Sequence, residues 1–146
     1  MSILDYSFLL HGVIEGLVGL LYLIRPADVP DLKINDPSAV FLAQAFGASL
    51  IASAIPAIFM FGLPNMLPCK RTAGLGYMVF HSLIAWIFFQ SRMDGPFDTT
   101  TAWTMCLLHL GLFTPFYLWY KVTGDQVTKF IKQSKNQAVG GPGKAK

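Results

Sequence analysis

The chain is 146 residues long, 53% hydrophobic and only 13% charged, with a mean hydropathy of +0.50. The length suits one domain, but a soluble surface needs about 25% charged residues, so a soluble globular class is excluded. The net charge of +3 comes mostly from lysines after Trp119, which fits a membrane face and not a nucleic-acid footprint, and no nucleic-acid partner is expected.

Four apolar stretches predict transmembrane helices over residues 6–24, 39–62, 73–90 and 102–122. Each reaches about 27 Å or more at helical rise, enough for a hydrocarbon core of ~30 Å. Only helices satisfy their own backbone there, and four such runs cannot form a barrel of short alternating strands. The expected fold class is all-α, a four-transmembrane-helix bundle forming one domain over residues 1–137.

The first span is preceded by Asp5 and followed by Arg25 and Pro26. It lacks the basic start and small cleavage residues of a signal peptide, so it is read as retained. Gly12 and Gly16 give it a GxxxG spacing for close helix contact. The following loop is net acidic, with Arg25 and Lys33 against Asp28, Asp31 and Asp36. In the second span Ala43, Gly47, Ala48, Ser49, Ala52 and Ser53 supply a small-residue face, and Pro56 is expected to bend the helix.

Lys70 and Arg71 stand in the next loop without an acid, beside Cys69. The third span carries Tyr77 and His81 one turn apart, and the loop after it sets Arg92 against Asp94 and Asp98. Pro115 in the fourth span lies at nearly the depth of Pro56, so that paired kinks would splay the bundle. Cys106 falls inside that span, away from Cys69, and no disulfide is expected. Trp103 anchors one end of the span and Tyr117, Trp119 and Tyr120 the other. By the basic-residue rule, both termini and the loop holding Lys70 face the cytoplasm. Residues 123–137 are either a short surface helix, with Val127, Phe130 and Ile131 on one face, or a solvated stub. The Gly-Pro-Lys-rich stretch 138–146 is expected to be disordered.

The sole Glu and all three His fall within the predicted spans. A carboxylate in hydrocarbon costs several kcal/mol unless it is paired, protonated or wetted, so Glu15 is a candidate functional residue. His11, Glu15, Val18 and Tyr22 follow helical spacing and share a face. Counted from the cytoplasmic ends, Glu15, His81 and His109 lie within about one and a half helical turns of a common level. A polar seam of Glu15, His11, His81 and His109, with Tyr22 and Tyr77 beside it, is therefore expected inside the bundle. Such a seam suits proton transfer on an apolar ligand, with Glu15 and His11 as the catalytic candidates and the others binding; whether the ligand is turned over stays open. A purely structural role, with Glu15 holding the helices in register, is the competing reading. No HExxH or HxxEH spacing is present, and no metal or other cofactor is expected.

The segment His11 to Gly16, HGVIEG, followed by LVGLLYL, resembles the first catalytic helix of the EXPERA family, which includes the emopamil-binding sterol isomerases and sigma-2 type receptors. The resemblance implies an endoplasmic reticulum bundle enclosing a sterol-sized pocket, with His11 and Glu15 at the positions that handle a cationic ligand. The second span offers Gln44 and Ser49 where that family presents another carboxylate. Small DoxX-like four-span proteins are similar in size and layout. The leading expectation is a membrane protein that binds a lipophilic small molecule, a sterol, isoprenoid or quinone, at the Glu/His seam. The alternative is a non-catalytic accessory subunit that docks to a membrane partner, or to a second copy, through its glycine faces and basic tail.

Overall fold

A computed structural model describes residues 3–29, 34 and 36–139. Among these residues the protein is all-helical: α1 (Tyr6–Ile24), α2 (Pro37–Phe61), α3 (Pro68–Gln90) and α4 (Thr99–Val139), with 3-10 turns at Ile3–Asp5 and Pro26–Asp28. Lys33 and Asp31 of the first loop, and residues 140–146 of the tail expected to be disordered, lie outside the described residues.

Local chemistry sets the helix starts. The Asp36 side chain accepts from the Ala39 N–H at 2.9 Å and Pro37 follows at the first helical position, which uses a free donor and a preset φ to open α2. Pro68 opens α3 in the same way. At α4, Asp98 accepts from the backbone N–H groups of Thr100 and Thr101 and from the Thr101 hydroxyl. These bonds, the Thr101 hydroxyl first among them, hold the Asp98 carboxyl below its ordinary range.

Three helical stretches, Ile3–Ile24, Pro37–Phe61 and Pro68–Gln90, are long and apolar enough to cross a membrane. They leave large apolar side chains exposed, among them Leu17, Phe41, Phe59 and Leu83, as expected where the solvent is lipid. The apolar part of α4 is diluted by Thr104, His109, Thr114 and Pro115. The helix continues unbroken to Val139, so the stretch 123–137 is neither a separate surface helix nor a stub but the extension of α4. Helicity also runs through Pro56 and Pro115.

The helices form two close pairs, α1 with α2 and α3 with α4. Helix α1 faces α2 with Gly12 and Gly19, two turns apart. A Cβ at Gly19 would meet the Gly47 carbonyl oxygen at 2.8 Å, and one at Gly47 would meet the Gly19 carbonyl oxygen and the Leu23 nitrogen at 2.7 Å. A Cβ at Gly16 would make only an ordinary contact, 3.5 Å from the Ala54 Cβ. The buried row on α2 is Ala43, Gly47, Leu50, Ala54 and Ala57, whereas Ala48, Ser49 and Ala52 are exposed. The six small residues read as one face span too wide an arc; the helical period selects the row at alternating spacings of four and three. Gly47→Ala is expected to force the backbones apart, at a cost of about 1–3 kcal/mol, measured as a lower unfolding midpoint in detergent.

Side chains join the two pairs. Phe8 of α1, Ala57 of α2, Tyr77 and Met78 of α3, and Phe116 and Trp119 of α4 make one core. Phe8 meets Trp119 and Phe116 edge to face, with centroids 4.8 and 5.2 Å apart, a favoured aromatic geometry. Gly74 lets α3 approach Trp119, since a Cβ there would lie 2.8 Å from its ring.

Candidate functional site

Next to that aromatic core lies a row of three imidazoles from three helices. His11 Nδ1 and His81 Nε2 are 3.0 Å apart, and His81 Nδ1 and His109 Nδ1 are 3.0 Å apart. His11 Nε2 stands 3.4 Å from the Ser53 hydroxyl of α2. His11 and His81 are fully buried and Glu15 is 5% exposed, while His109 at the end of the row is half-buried. Glu15, one turn beyond His11, offers a carboxylate oxygen within 4.8 Å of ring nitrogens of both His11 and His81.

The row follows from helical spacing. Phe8, His11, Gly12, Glu15 and Gly19 are the buried stripe of α1, with residues three and four apart lying on one face. On α3 the same spacing places Tyr77 and His81 together. The Tyr77 ring lies against His11, centroids 4.1 Å apart, and its hydroxyl donates to the Ser53 carbonyl at 3.2 Å. Phe80 and Phe88 flank the outer ring, His109, at 6.3 and 6.1 Å.

A neutral imidazole has one N–H and one bare nitrogen. His81, bonded through both nitrogens, therefore donates to one neighbour and accepts from the other. If His81 Nδ1 donates to His109, then His11 Nδ1 donates to His81 and Ser53 donates to His11. Reversing one proton reverses the row, so the three rings form a directional chain whose order every member shares.

The structure thus brings His11, Glu15, His81, His109 and Tyr77 together. Tyr22 is elsewhere: it packs edge to face on Phe46, centroids 5.4 Å apart, and its Cβ borders Gly47. Val18 also leaves the shared face and is exposed. Both sit farther along α1, where its closest approach is to α2 and not to the histidines. Cys106 is buried and Cys69 exposed, both as free thiols.

No protein-family profile, curated protein or solved structure matches this chain.

A second polar cluster closes the bundle at the start of α3. Lys70, read from sequence as a loop charge, is fully buried in the first turn of α3, and Asp5 is 1% exposed. Lys70 Nζ donates to Asp5 Oδ1 at 2.9 Å and to the Leu63 carbonyl at 2.8 Å. The Trp119 indole donates to the same Asp5 oxygen at 3.0 Å and approaches Asn65 Oδ1 at 3.3 Å. Nearby, Arg71 donates to the Thr123 hydroxyl at 2.8 Å and lies 3.9 Å over the Tyr120 ring. The lock ties the start of α1 to α3, α4 and the α2–α3 connection, and so sets the register in which the histidines meet. Sequence reasoning missed it because an acid before one span and a lysine before another read as ordinary loop charges.

An open groove of about 620 Å³ runs along the outer side of α1, lined by residues including Leu4, Tyr6, Ser7, Leu10 and Pro115. None of its lining residues belongs to the Glu15 and histidine cluster. The cluster itself is filled by aromatic rings.

Proposed function

We propose that this protein binds a lipid-soluble molecule through the cluster of Glu15, His11, His81 and His109. The observation that carries the reading is a row of three imidazoles from three helices, two of which, His11 and His81, meet the buried Glu15 carboxylate. A polar group inside apolar helices is costly and marks a functional site, and convergent polar groups in an apolar setting are how such sites orient a ligand. The polar head of a sterol, isoprenoid or quinone would approach along the half-buried edge of His109, between Phe80 and Phe88. The plane between the helix pairs, joined by side chains and not by close backbone contact, is where the bundle would open. The likeness of the HGVIEG segment to the EXPERA helix supports a sterol-sized ligand and an endoplasmic reticulum location.

In this reading α4 is the fourth span, over its apolar part 102–122. The starts of α1 and α3, the connection after α2 and the Trp119 part of α4 lie together around Lys70, and the lysines that follow Trp119 support cytoplasmic termini by the basic-residue rule.

Thermal unfolding in detergent against a panel of sterols, isoprenoids and quinones tests this. A ligand at a hundred times its Kd should stabilise the wild type by about 2.7 kcal/mol, and Glu15→Gln and His109→Ala should remove that gain. A shift that survives both substitutions, or none with any compound, rejects the reading.

The exposed extension of α4, with Lys129, Lys132, Phe130 and Ile131 on its surface, favours a second role as an accessory subunit docked to a larger membrane protein. Loss of cellular function on deleting residues 125–146, with Glu15→Gln silent, would favour that role over ligand binding.

A further inference from the structure

We infer that His11, Glu15 and His81 form a binding site for a single divalent transition-metal ion of the zinc type. One ligand atom from each of these three buried residues lies within 4.8 Å of the other two. Two imidazoles and a carboxylate are the donor set of open zinc sites, and the same set serves non-haem iron. The sequence conceals it because only His11 and Glu15 share a helix, four residues apart, while His81 comes from α3.

The distances suit a metal. Bonds of about 2.0–2.1 Å in a tetrahedral site put ligand nitrogens about 3.3 Å apart, and His11 Nδ1 and His81 Nε2 are at 3.0 Å. A slight parting of the two rings admits the ion, and Glu15 closes the third position by turning a flexible side chain. The ion then replaces the proton that the two rings share.

The surrounding bonds fit the same assignment. Metal-bound histidines donate their other N–H to a partner that fixes the tautomer. With His81 Nε2 on the metal, Nδ1 carries the proton and faces His109 Nδ1 at 3.0 Å. With His11 Nδ1 on the metal, Nε2 carries the proton and faces the Ser53 hydroxyl at 3.4 Å. Each ligand ring thus has an acceptor in place for its second nitrogen. The fourth position is left to water or to a ligand oxygen. His109, which meets the far nitrogen of His81 and stands outside the group of three ligand atoms, is a positioning residue and not a ligand. The assignment stands apart from the lipid-binding reading, because its test contains no lipid ligand.

The test uses full-length protein purified in detergent without a polyhistidine tag, stripped with a chelator and titrated with Co2+ as a visible probe for zinc. One Co2+ per chain should bind with the absorption of a low-coordinate nitrogen and oxygen site, and one equivalent of Zn2+ should displace it. Glu15→Gln and His81→Phe should each weaken Co2+ at least tenfold, and His109→Gln, acting through His81, about 10- to 100-fold. Cys69→Ser, which removes the exposed thiol, should leave it unchanged. Circular dichroism of each variant confirms that the helices persist, and Glu15→Gln keeps size and shape should His81→Phe fail to fold. Folded wild-type protein that takes up no Co2+, or binding undiminished in Glu15→Gln, overturns the proposal.

Discussion

Lys70→Met should destabilise the protein by about 3–5 kcal/mol, the cost of removing one charge of a buried ion pair. Asp5 is sealed from solvent, and without Lys70 it keeps the Trp119 indole N–H, 3.0 Å away, but loses the cation that faces its carboxylate at 2.9 Å. The Leu63 carbonyl loses a donor at the same time. The double variant Asp5→Leu with Lys70→Met should recover most of the loss, because a well-packed apolar pair of similar volume is often neutral or better than the ions it replaces. Trp119 reports the event directly, since its indole touches Asp5 and its ring packs on Phe8. Denaturant unfolding in detergent, followed by tryptophan fluorescence, gives the coupling energy as a double-mutant cycle. A cycle with no coupling would mean that the bundle holds its register without this lock.

The contrast between Lys70 and Glu15 shows which parts of this protein can be read from sequence. Hydrophobic run length fixed the helices, because α1, α2 and α3 must each be long and apolar whatever they pack against. The buried carboxylate was legible for the same reason, since Glu15 stands alone in an apolar run with His11 one turn before it. Lys70 was not legible. It lies two residues after Pro68, beside Arg71, and only the folded arrangement turns one of these neighbours to Asp5 and the other to Thr123 of α4. Small residues were partly legible: the need for a close approach was visible, but which row met the partner depended on the rotation of α2, and Leu50 with Ala54 took places expected for Ala48 and Ala52. Tyr22 fell outside the site because i, i+11 spacing follows a helix stripe into a region where another helix is the neighbour. Depth counted along each span placed the histidines on a level, but their bonding order is a property of helix rotation, which residue spacing does not record.

His81→Phe is expected to cost about 2–6 kcal/mol, because it orphans His11 Nδ1 and His109 Nδ1 together and each buried polar group left unpaired costs ~1–3 kcal/mol. His109→Phe, which removes a half-buried ring at the end of the row and strips only one partner, should cost less. Replacing His11, His81 and His109 together by Phe leaves no orphan among the three rings, so the triple variant should be more stable than His81→Phe alone, with aromatic packing around Phe116 and Tyr77 retained. Urea or thermal unfolding of the three variants in one detergent measures the order. The reverse order, with the triple variant the weakest, would mean that the imidazole chain is itself a net source of stability and that holding the helices together is its job. The expected order would point the other way: an apolar core would serve the fold at least as well as the chain of three imidazoles beside a buried carboxylate, which is what the ligand-binding proposal requires.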